Sequence, residues 1–182
     1  MKLLNKIVIL FLLFLSVSFY SYLQNRKVVP VIPTPTPTMT ATNSVLGART
    51  KVAGCVARDG MPDHDCTPGQ AFPDVTASEV CVSGYSKSVR NVPERVKNAV
   101  YTEYGVATHT TGEYEVDHLI SLELGGSNDI ANLWPEPANP TPGFHEKDRV
   151  ENYLHSQVCK NLMTLQQAQE IIANNWKSVV IK

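Results

Sequence analysis

The chain has 182 residues, 43% of them apolar and 18% charged, and roughly residues 50–182 are the size of one ordinary domain with a real core, with no second domain expected. Of its 16 basic and 17 acidic side chains, Lys2, Lys6, Arg26 and Lys27 lie in the first 27 residues, so the remainder carries 12 basic against 17 acidic groups, a formal net of −5. That balance excludes a protein whose whole surface grips phosphates; any contact with nucleic acid has to use a local basic strip or a metal.

Lys2 and Lys6 precede an apolar run from Ile7 to about Phe19, the pattern of an export signal or a short membrane anchor over residues 1–25. The expected location is extracytoplasmic, either secreted or tethered to a membrane. Residues 26–50 include "VVPVIPTPTPTMTATNS", where alternating proline and threonine prevent a helix and predict an extended, semi-rigid linker. The domain is expected over residues 51–182.

Four cysteines, Cys55, Cys66, Cys81 and Cys159, are an even number in an exported chain, so two disulfides are expected. Of three connectivities, the favoured one joins Cys55 to Cys66 across a local loop and Cys81 to Cys159 across the domain. A zinc site from Cys55, His64, Cys66 and Cys81 is the rival, and it lacks the paired C-x-x-C spacing of structural zinc sites.

Residues 51–80 read as loop, dense in aspartate, glycine and proline, and a short strand is expected at Val80 to Tyr85. "NVPERVKNAVYTEYG" predicts a helix capped by Asn91, with Pro93 in its first turn, Val96, Ala99, Val100 and Tyr104 on one face, and Gly105 as its stop. Lys87, Arg90, Arg95 and Lys97 make the best basic strip in the chain. Near-strict alternation from Tyr114 to Leu124 predicts a strand; "LGGSND" is turn chemistry, and "IANLWPEP" can return as a second arm until Pro135 and Pro137 end it. "FHEKDRVENYLHSQV" places Phe144, Val150, Leu154 and Val158 on one helical face, with His145, Arg149 and Asn152 on another. The last helix opens with the Thr164 and Gln167 capping box and aligns Leu165, Ala168, Ile171, Ile172 and Trp176 as core.

Asp63-His64 shows that an Asp-His dipeptide alone means little. Asp117-His118 differs by its frame: Asn132 follows across the turn and His145 begins the next helix. A carboxylate and an imidazole can hold a divalent cation, and a second imidazole can accept a proton from water near neutral pH. "YEVDHLISLELGGSNDIANLWPEP…FHEKD" resembles the HNH, or ββα-metal, endonuclease motif. The likeness to exported bacterial members extends over roughly residues 80–177, through "VCVSGY" and "VENYLHSQVC…LQQAQEIIANNW".

The resemblance implies an α+β fold, a ββα-metal (HNH) hairpin-plus-helix core at 113–155 with flanking helices, braced by the disulfides. It implies a divalent-metal-dependent endonuclease in which Asp117 and His145 hold one Mg²⁺, Mn²⁺ or Zn²⁺ ion. His118 is then the general base, and Asn132 orients it. The implied partner is a nucleic acid substrate, DNA in the first instance, met by a monomer. Some members carry another histidine one turn after the first; here that position is Arg149, which either contacts phosphate or pairs with Glu146 or Glu151. Glu115 and Glu151 stand near enough to support the ligands. The bland alternative makes Asp117 an exposed strand carboxylate and His118 a core histidine. A non-catalytic metal-binding or cell-surface interaction module on the same scaffold is the second functional reading, favoured by the acidic charge.

Overall fold

The computed structural model describes residues 46–181. The apolar N-terminal run and nearly all of the proline-threonine linker lie outside the described residues. The ordered domain begins before residue 51: Leu46 packs against the core, Arg49 donates to the Cys66 carbonyl at 3.0 Å and forms an ion pair with Glu103, and the Thr50 amide bonds Asp65 O at 2.9 Å. Residues 46–50 are therefore packed with the domain.

Among the described residues the fold is mixed α+β, with five α-helices and a two-stranded antiparallel sheet. Both expected disulfides are present, Cys55–Cys66 and Cys81–Cys159, which removes the thiolates that the rival zinc site would need. No helix among the described residues is long and apolar enough to cross a membrane.

Where a strand was expected at Val80 to Tyr85, the chain instead forms two short helices, α1 (Ala77–Val80) and α2 (Tyr85–Val89). The cause is local. Thr76 and Glu79 close a capping box, each side chain accepting from the other's backbone amide at 3.3 and 2.8 Å, and Gly84 at φ 84° turns the chain into α2. Helix α3 (Glu94–Glu103) is the expected one, but Pro93 occupies its N-cap and Asn91 does not cap it. It stops at Gly105, φ 69°, where the Val106 amide reaches back to Tyr101 O at 2.9 Å.

Strand β1 (Tyr114–His118) pairs with β2 (Leu133–Pro137), Asp117 opposite Trp134 and Glu115 opposite Glu136. The expected strand to Leu124 ends six residues early, and a buried segment of 3-10 turns fills the connection in place of a tight hairpin. Pro135 and Pro137 lie inside β2 and do not terminate it. They face Val116 and Tyr114, and the flanking bonds, Leu119 N to Asn132 O at 2.8 Å and Ala138 N to Glu113 O at 3.0 Å, place both prolines at pairs that exchange no ladder hydrogen bonds.

Helix α4 (Phe144–Cys159) and helix α5 (Leu165–Asn175) follow as expected, the latter with the Thr164–Gln167 box closed at 3.0 and 3.1 Å. Val150, Leu154 and Val158 of α4 meet Ala168, Ile172 and Trp176 over Leu119, Ile120, Leu124 and Trp134. The Trp176 indole donates to Gly60 O at 3.1 Å, tying the last turn to the N-terminal loop. Cys81–Cys159 joins the end of α1 to the end of α4.

Candidate active site

Successive strand side chains point to opposite faces, and β1 ends at His118. Asp117 therefore turns toward α4 and His118 toward the loop that contains Asn128. The Asp117 face is built around Lys147, which is fully buried although it sits on the apolar stripe of α4. Its ammonium donates to Asp117 Oδ2 at 2.6 Å and to the His118 carbonyl at 2.8 Å, forms an ion pair with Glu151, and lies 3.8 Å from Glu136 Oε2. A buried ammonium is costly unless opposite charges surround it. Burial pulls Lys147 down, but Asp117, Glu151 and Glu136 together outweigh it and keep the ammonium charged.

The carboxyls of this group are unequal. Glu136 is pushed up to about 10, first by burial and then by Asp117, with Lys147 acting against both. It therefore carries a proton at neutral pH, and both of its oxygens are buried without a hydrogen-bond partner among the described residues. Burial also pushes Asp117 up, yet the Lys147 ammonium against it holds it below the usual carboxylate range. Glu151 is raised to about 7 by burial, which Lys147 only partly offsets. The result is one ionised, largely buried carboxylate at the strand end, its side chain 16% exposed and held by a lysine.

His118 is buried, with Nε2 3.2 Å from Asn128 Oδ1. The Asn128 amide is fixed by its other bonds: Nδ2 donates to Val89 O at 2.8 Å, and Oδ1 accepts from the Asn91 amide at 3.1 Å. Since Oδ1 faces the ring, Nε2 carries the hydrogen and Nδ1 the lone pair. Burial lowers the imidazole to about 4, against the opposing pull of Asp117, so it is neutral through the physiological range.

The expected orienting role of Asn132 is corrected here. Its Oδ1 accepts from Ile120 N at 2.9 Å and Gln70 N at 3.2 Å, and its Nδ2 donates to Ile120 O at 3.0 Å and Ser127 O at 2.9 Å. Every bond goes to backbone, so Asn132 buckles the 119–132 loop closed and Asn128 takes the place beside the imidazole. Gly126 permits the buckle, because a Cβ there would collide with the Ile120 carbonyl and crowd the Asn132 amide.

His145 lies in the first turn of α4, exposed, its ring tilted 55° against that of Phe144 with centroids 4.3 Å apart. Asp148, one turn on, is also exposed; desolvation and Asp117 raise its carboxyl while Lys147, His145 and Arg90 lower it, so it sits in the field joining these groups. Glu115 is exposed and raised by desolvation and then by Asp117 and Asp148. Arg149 pairs with Glu146 at 3.3 Å on the surface, while Glu151 belongs to Lys147. Asp63 of the other Asp-His pair is spent on Lys51 at 2.9 Å and on loop amides.

Among the described residues, the group of three potential ligands close enough to share an ion is Cys81, His155 and Cys159, and its two sulfurs are already bonded to each other. Asp117 and His145 belong to no such group of three. Their surroundings nonetheless suit a hard cation by donor type: the carboxylates of Asp117, Asp148 and Glu115 together with the His145 imidazole are oxygen and nitrogen donors, with no thiolate. Lys147, Glu136, Asn128 and Asp148 were not singled out from the sequence. The signals were there for two of them: Asp148 is three residues after His145, and Glu136 shares the Asp117 face once the strand register is known. Searches against protein-family models, curated proteins and solved structures found no match.

Proposed function

We propose that this protein is an extracytoplasmic, divalent-cation-dependent endonuclease on a ββα-metal (HNH) scaffold, hydrolysing phosphodiester bonds of DNA. The reading rests above all on a buried imidazole held neutral at a strand end next to an ionised, partly buried carboxylate. Asp117 would hold the cation with His145, and Asp148 and Glu115 are further oxygen donors whose charges act on one another and on Asp117. When bound, the cation supplies charge neutralisation at the phosphate and at the leaving oxygen.

The protein's own residues perform the proton work. His118 takes a proton from the attacking water through Nδ1, while Asn128 holds the Nε2–H side of the ring. The new bond is water oxygen to phosphorus, the broken one is phosphorus to O3′, and the departing O3′ takes a proton from solvent. The products are a 5′-phosphate and a 3′-hydroxyl. Lys147 keeps Asp117 ionised, so the carboxylate is available without first losing a proton.

The test is cleavage of supercoiled plasmid by the oxidised protein in Mg²⁺, Mn²⁺ or Zn²⁺, with end-mapping of the products. Nicking that stops with EDTA and leaves 5′-phosphate ends supports the reading; equal nicking in EDTA contradicts it. The second reading, a non-catalytic metal-binding or cell-surface module on this scaffold, is favoured by the net charge of −5 and by the engagement of Asp117 with Lys147. It predicts Mg²⁺ or Mn²⁺ binding by calorimetry without cleavage of any nucleic acid.

A further inference from the structure

The rim of this site contains a cation that the mechanism above does not use. Arg90 follows α2 with extended backbone, φ −63° and ψ 118°, and the residues on either side of it are both tied to one side chain. Asn128 Nδ2 donates to Val89 O at 2.8 Å, and Asn128 Oδ1 accepts from the Asn91 amide at 3.1 Å. The same Oδ1 is the atom 3.2 Å from His118 Nε2. Arg90 therefore leaves the backbone from a three-residue segment clamped to the residue that touches the imidazole. An exposed arginine is usually placed only by its own flexible stem; here its Cα is fixed relative to His118 through one amide.

Arg90 is also free to take an anion. It is exposed and makes no ion pair among the described residues. Of the cations on α4, Lys147 is committed inside its carboxylate group and Arg149 to Glu146, while Lys87 on α2 is unpaired among the described residues and serves as the comparison. The Arg90 charge acts on His118, Glu115 and Asp148. A planar guanidinium suits two phosphate oxygens at once, which a lysine at the same point does not. A single placed arginine also answers how an acidic domain admits a polyanion: through one local contact at the reacting centre and not by its overall field.

We propose that Arg90, planted by Asn128, is the substrate-phosphate contact of this site. The substrate class rests on the nuclease reading; the anion site itself does not. Three measurements separate them, all on the oxidised protein. In EDTA, a fluorescein-labelled DNA duplex is titrated at several salt concentrations, and Arg90→Ala is expected to weaken binding and to reduce the slope of log K against log salt by about 1. Arg90→Lys restores the slope but not the full affinity. Asn128→Ala keeps the charge and hence the slope, yet weakens binding and raises KM. Lys87→Ala is the control for diffuse charge. Equal losses in Arg90→Ala and Lys87→Ala overturn the proposal, as does an unchanged KM in Arg90→Ala.

If the wild type neither binds nor cleaves DNA, the nuclease reading fails, and the anion site is still read directly. Titration with inorganic phosphate is expected to shift the Arg90 Nε–Hε NMR resonance, and no shift overturns the site.

Discussion

Lys147 Nζ lies 2.6 Å from Asp117 Oδ2, a buried ammonium from the core face of α4 holding the carboxylate at the end of β1. Asp117 and Glu151 lose their common counter-charge if this lysine is removed. Lys147→Met, close in length, is expected to cost about 3–5 kcal/mol of stability, because breaking a buried pair from one side leaves uncompensated charge. Urea unfolding of the variant measures it. A loss below 1 kcal/mol would mean that the carboxyls simply take up protons and that the lysine does not organise the site.

His118 predicts a pH effect of definite sign in metal-free protein. Its folded value is about 4, below the ordinary imidazole value of 6.5, so the neutral ring stabilises the fold fully above pH 6.5. This contribution is lost as pH falls toward 4, where the unfolded chain takes a proton that the folded one refuses. Between these values the stability of wild type should fall more steeply than that of His118→Gln, by up to about 1.4 kcal/mol per pH unit. Parallel curves for the two proteins would show that the ring is not desolvated.

Asn132 and Asn128 should separate cleanly on substitution. Asn132 is fully buried and bonded four times to backbone, so Asn132→Ala strands buried loop groups and is expected to cost about 3 kcal/mol, with faster hydrogen exchange at the Ile120 amide. Asn128 is half-exposed, and Asn128→Ala should lose less than half as much stability. Equal stability losses would place both residues in the same structural role.

The two disulfides differ in the length of chain they close. Cys81–Cys159 spans 78 residues and Cys55–Cys66 spans 11. Replacing the first pair by serine is expected to cost about 4–5 kcal/mol and the second about 3, from chain entropy. Denaturant midpoints of the two double variants, compared with the oxidised parent, rank them.

The sequence made some of this legible for identifiable reasons. Helices α4 and α5 carry long apolar stripes and a Thr-x-x-Gln box, and the hairpin carries strand alternation, so period and cap agree. The pair α1 and α2 was hidden because each is about one turn long, too short to show a period, although Thr76 and Glu79 announce a helix start as plainly as Thr164 and Gln167 do. Lys147 was hidden because a charge on a helix reads as solvated, and only the register of β2 brings Glu136 and Asp117 beside it. Asn132 was visible as a polar residue after a turn, but its partner was not: a buckled loop follows no period, and that buckle moved the imidazole's neighbour from Asn132 to Asn128.

The claim on which the others depend is that His118 takes the proton from water. Single-turnover nicking of supercoiled plasmid in Mg²⁺ or Mn²⁺ compares wild type with His118→Ala, with folding checked by circular dichroism. The rate should fall by about 10²-fold or more in the variant while DNA affinity in EDTA stays the same. A folded His118→Ala protein that nicks at the wild-type rate would contradict the account.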